Sequence, residues 1–176
     1  QVYAPEWDIA ELPKRQKEAE RAAKILGIKE VVFGGFPTVK LNTVPLIGIT
    51  NKIGEAIRRI SPAVIYLPPQ KDLNDDHILV CKAGIAAAKA SMAIKGIYSY
   101  EVPTVFRYND LSVNKYIDIS RYMARKTAAM RQYRMELRTY PHPRSIKGLE
   151  IIAQERGLAI GCKYAEAFLI IREVVK

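Results

Sequence analysis

The segment Pro68-Pro69-Gln70-Lys71-Asp72-Leu73-Asn74-Asp75-Asp76-His77 gathers three carboxylates, an amide and an imidazole into six consecutive positions. Imidazole together with carboxylate suits Zn²⁺ or a similar borderline cation, and a catalytic zinc usually takes three protein ligands and one water. His77 is one of only two histidines in the chain. The same residue types also begin helices, because Asn74, Asp75 or Asp76 can accept from free N-terminal amides and suit the positive end of the dipole. A single His beside Asp does not choose between the two. A zinc site would need further ligands from another strand end, and Phe33 to Thr38 contains no His, Cys, Asp or Glu.

The elements that must position this loop can be read from periodicity. Ala19, Ala22, Ala23 and Leu26 recur at helical spacing, so a helix is expected from Pro13 to Leu26, stopped by Gly27. Ile28 to Phe33 is a β-rich run of strand length, ended by Gly34-Gly35-Phe36-Pro37. Leu46, Ile49, Ile53, Ile57 and Ile60 form the stripe of a second helix, closed by Ser61-Pro62. Ala63 to Leu67 has no polar alternation, as expected of a central strand covered on both faces, and Pro68-Pro69 ends it. A third helix is expected to begin at the loop's end and to run on from His77. Further on, the expectations are a strand over Val102 to Tyr108 and a long helix from Asp118 to about Arg138. A helix over Ser145 to Arg156 and a final short, strand-like element over Tyr164 to Arg172 complete the reading.

Such alternation argues for an α/β layer fold with a largely parallel sheet, because parallel neighbours need crossovers and a helix is the usual one. Ligands of open parallel sheets bind outside the carboxyl ends of the strands, which directs attention to the loop after Leu67. The alternation starts on a helix, whereas a doubly wound sheet normally opens on a strand. A natural beginning ahead of Gln1 is therefore expected.

The chain has 176 residues, with 28 Lys and Arg against 18 Asp and Glu, a formal charge of +10. That length suits a single α/β domain over 1–176, and 49% hydrophobic with 26% charged composition argues against disorder. No apolar stretch reaches the roughly 20 residues of a bilayer span. Cys81 and Cys162 are far apart with no CxxC spacing, so neither a disulfide framework nor a zinc knuckle is suggested, and a cytoplasmic setting is expected.

Much of the excess charge is local. Between Arg121 and Lys147 stand eight basic residues against Glu136 alone, interleaved with Tyr122, Tyr133 and Tyr140. Such a stretch could grip phosphates and stack on bases, making a binding module for anions or nucleic acid the rival from a different class. Ile119, Met123, Met130 and Leu137 give the same stretch an apolar face, which makes its cations a solvated side or a subunit contact. On that ground nucleic acid is not the expected partner, and a homo-oligomer is.

The order of residues resembles the PIG-L/LmbE-like zinc-dependent N-deacetylases. Arg15-Gln-Lys-Glu18 followed by Ala22-Ala23 and Leu26-Gly27 is similar to that family's R-x-x-E-x-x-x-A-A-x-x-L-G helix. Phe33-Gly-Gly-Phe-Pro, Ile57-Arg58 before Ser61-Pro62, Asp72 with Asn74-Asp75-Asp76-His77, Tyr116-Ile-Asp118-Ile-Ser120 with Lys126, and Gly161 with Tyr164-Ala-Glu-Ala-Phe168 follow in the family's order. The resemblance spans roughly residues 13 to 172 and implies a Rossmann-like three-layer fold, with the N-terminal strand-helix-strand missing here.

It also implies zinc-assisted hydrolysis of the acetamide of an N-acetylated amino sugar or sugar conjugate, of N-acetylglucosamine type. His77 would be a metal ligand and Asp76 the carboxylate supporting it. Asn74, where many members have a second His, could donate to an oxyanion but deliver no proton at neutral pH. Arg15 would contact the sugar. His142, in Tyr140-Pro-His-Pro-Arg-Ser145, is expected at the rim or in a purely structural turn, and Glu166 in a structural ion pair. Thr38 stands where the family often has an Asp. The family's His-Pro-Asp-Asp motif, which supplies two further ligands and a general base, does not occur, so the chain alone is expected to be inactive.

Overall fold

The computed structural model describes residues 11–37, 39–104 and 112–175. They form two compact units, one taking 11–33, 103–104 and 118–166 and the other 34–37, 39–102, 112–117 and 167–175.

In the first unit, α1 (Leu12–Leu26) ends on Gly27 in the left-handed region, as a helix-terminating glycine does. It packs on α4 (Met123–Met130), and α4 touches α5 (Ile146–Leu158). Ile119, Met123 and Ala153 make the small core, with Tyr164 against it. Ser145 caps α5 by accepting from the amide of Gly148 at 2.9 Å.

In the second unit, α2 (Leu46–Ile60) and α3 (Asp75–Ala88) pack together, and α3 lies on β1 (Val64–Leu67). The approach is close because α3 turns small residues inward: Cys81, Ala83, Gly84, Ala87 and Ala88 are all buried. A Cβ on Gly84 would stand 2.4 Å from a methyl of Leu67. Ile57, Leu67, Cys81, Ile94 and Ile97 are the centre of this core.

β1 joins β2 (Gly96–Tyr100), β3 (Lys115–Asp118) and β4 (Ala165–Glu173) in an open four-stranded sheet of order β1-β2-β4-β3. β1 and β2 run parallel, with Leu67 beside Ser99, whereas β2 and β4 run antiparallel. The architecture is the expected α/β, with helices flanking an open sheet. The sheet expected to be mostly parallel, however, is parallel only at β1–β2, since β4 runs antiparallel to β2 and backbone bonds from Asn114 to Phe168 and from Ile119 to Tyr164 set β3 antiparallel to β4.

Several elements differ from their sequence expectation. Ile28 to Phe33 forms no strand. Its run of β-formers finds no ladder partner among the described residues, and Ile28, Val31, Val32 and Phe33 stay exposed. Among the described residues β1, expected at the sheet centre, is an edge, and its Val64 and Tyr66 are exposed. The strand expected over Val102 to Tyr108 begins earlier, at Gly96; Val102 to Thr104 are irregular, with Pro103 unable to donate to a ladder, and 105–108 lie outside the described residues. The long helix over 118 to 138 is only the eight residues of α4, after which the chain breaks into turns.

Candidate functional site

The loop after β1 is shaped by its first two residues. Pro68 and Pro69, both buried, end the strand because neither can donate to a ladder, and they launch the chain toward α3. Asn74 then caps α3, its side-chain oxygen accepting from the amide of Asp76 at 3.0 Å. The capping role open for Asn74 is therefore filled, which leaves its amide NH₂ as the group able to meet anything else. Asp75 and Asp76 occupy the first turn, where the helix dipole favours negative charge.

Asp72 is the residue that sequence reasoning placed in the loop without a role. Its Oδ2 lies 2.8 Å from His77 Nδ1, while its Oδ1 accepts from the amide of Asn74 at 2.9 Å. The carboxylate is only 10% exposed and the imidazole 32%. A carboxylate can only accept, so the neutral ring carries its proton on Nδ1 and keeps the Nε2 lone pair for an electrophile. A carboxylate on one ring nitrogen is also the partner that metal-binding histidines most commonly have.

Asp76, expected to support the imidazole, turns instead to the chain before α2. Its two oxygens accept from the amides of Val39, at 2.6 Å, and Leu41, at 3.0 Å. Val39 has φ of 58°, a conformation costly for a β-branched residue, and the Asp76 bond holds it there. The difference comes from position: Asp76 sits inside the first helical turn, whereas Asp72 lies in the free loop, where the chain can fold back on the ring. No spacing rule relates residues five apart in a loop, so this pairing had no signal in the sequence beyond composition.

Beside this loop, at the carboxyl end of β2, Ser99 is fully buried and its hydroxyl has no hydrogen-bond partner among the described residues. Burial also pushes the Tyr100 phenol above its ordinary value, with smaller contributions from Cys81 and Asp72.

Arg15 and His142 belong to the first unit. Arg15 Nη1 reaches Glu136 Oε1 at 2.9 Å, and Arg144 Nη1 reaches Glu136 Oε2 at 2.6 Å. The amide of Arg144 donates to His142 Nδ1 at 3.0 Å, so the two expected substrate residues meet in one network. Glu166 pairs with Lys126. Thr38 lies outside the described residues.

As a metal site the loop is partial. A carboxylate-oriented imidazole with a free Nε2 is what a zinc ligand looks like, yet no group of three His, Cys, Asp or Glu able to hold a metal occurs among the described residues. Among them, too, no helix is long and apolar enough to cross a membrane.

The loop opens a helix at the carboxyl end of a strand in an α/β layer fold, the place where open α/β sheets bind ligands, and carries an imidazole and carboxylates at its mouth. Residues 3–88, just under half of the chain, match the family described as PIG-L: GlcNAc-PI de-N-acetylase. Solved structures share the fold. A conserved protein, TT1542, from Thermus thermophilus is 23% identical with a TM-score of 0.74, covering 94% of this chain and 76% of its own. The N,N'-diacetylchitobiose deacetylase from Pyrococcus horikoshii is 20% identical with a TM-score of 0.73, over 91% of this chain and 64% of its own. The 4-carboxy-2-hydroxymuconate hydratase GalB from Pseudomonas putida is 17% identical with a TM-score of 0.72, over 98% and 78%. No curated protein matches the chain.

Proposed function

We propose that the protein is a zinc-dependent deacetylase that hydrolyses the acetamide of an N-acetylated amino sugar or sugar conjugate. The observation that carries this reading is the Asp72–His77 pair at the carboxyl end of β1, lying within the PIG-L segment. A bound divalent cation would supply Lewis-acid polarisation of the acetamide carbonyl and a water acidified toward neutrality. His77 would be one of its ligands through Nε2, and Asp72 holds that nitrogen in the lone-pair form.

The protein's own groups then divide the remaining work. Asn74, whose oxygen is committed to the helix cap, offers its NH₂ to the oxyanion that develops as the carbonyl is attacked. Asp76 fixes the neighbouring chain at Val39 and Leu41 and so shapes the wall of the loop. The deacetylase named among the fold neighbours acts on an N-acetylated sugar, which agrees in chemistry with this substrate class.

The test is acetate release from N-acetylglucosamine conjugates by the protein expressed from its complete gene, with zinc content measured on the same preparations. His77→Ala is expected to lower both. Unchanged turnover in that variant would remove His77 from the chemistry and the deacetylase reading with it.

A further inference from the structure

We draw no further inference here: the strongest candidate, the shallow cavity that the end of α1 forms with exposed Ile28 and Val31 and with Lys24 and Lys29 at its rim, carries nothing because nothing in the structure shows what covers it.

Discussion

The Asp72 carboxylate lies 2.8 Å from His77 Nδ1 and is itself pinned by the amide of Asn74, so the imidazole is held from behind by a group that is almost fully buried. That arrangement predicts an effect on metal binding separate from turnover. Asp72→Ala frees the ring to rotate and to exchange tautomers, and loss of such a partner typically weakens metal affinity by about 10- to 100-fold. Competition with a chromophoric chelator measures this directly. An affinity equal to that of the parent protein would show that the carboxylate does not tune His77.

Asn74 and Asp76 can be told apart by stability. Asn74→Ala removes the cap of α3 and is expected to cost about 1 kcal/mol, while Asn74→Asp, which can still accept from the Asp76 amide, recovers most of it. Asp76→Ala is expected to cost more, about 2–3 kcal/mol, because it removes two charge-assisted bonds and the restraint on the left-handed Val39. Urea unfolding of the three variants gives the ranking, and an Asp76→Ala protein as stable as its parent would contradict it.

Apart from the helix expected over 118 to 138, of which only α4 forms, the helices were legible because their signals are local. The Ile stripe of α2 and the Gly27 stop of α1 lie within a few residues of what they determine. Strands depend on partners that the local pattern does not name. Ile28 to Phe33 has the right residues and no ladder, whereas Gly96–Tyr100, opened by a glycine that weakens any strand pattern, pairs on both sides. The site divides the same way. Asn74 as a cap follows from its place before a helix. The Asp72–His77 bond and the sharing of Glu136 by Arg15 and Arg144 arise from how loops fold back, and pairing residues 121 apart leaves no trace in spacing.

Ser99 makes a prediction of opposite sign. Its hydroxyl is fully buried on β2 beside Leu67 with no partner among the described residues, a condition that costs about 1–3 kcal/mol relative to a satisfied group. Ser99→Ala removes that hydroxyl at nearly constant volume and is expected to raise the melting temperature. A lower value would mean that the hydroxyl is bonded in solution.

Glu173 on β4 accepts from Lys115 Nζ at 2.7 Å and from the Tyr98 hydroxyl, with the Lys115 ammonium also 4.6 Å from the centre of the Tyr98 ring. The Lys115 bond, then the Tyr98 bond, holds the Glu173 carboxyl below its ordinary value of 4.5. A depressed folded value means that the stabilisation is present above 4.5 and is lost as pH falls through the folded value. The same carboxylate raises Lys115 above 10.5 and Tyr98 above 10.0. Those contributions are intact below the ordinary values and disappear as pH rises through the folded ones. One substitution should therefore flatten both ends of the stability profile. Glu173→Gln is expected to show a shallower loss in acid and a shallower loss in alkali than the parent, read from unfolding midpoints between pH 3 and 11 (on the order of the ordinary carboxylate and lysine values). Superimposable profiles would show that these three groups are bonded in the fold without steering its stability.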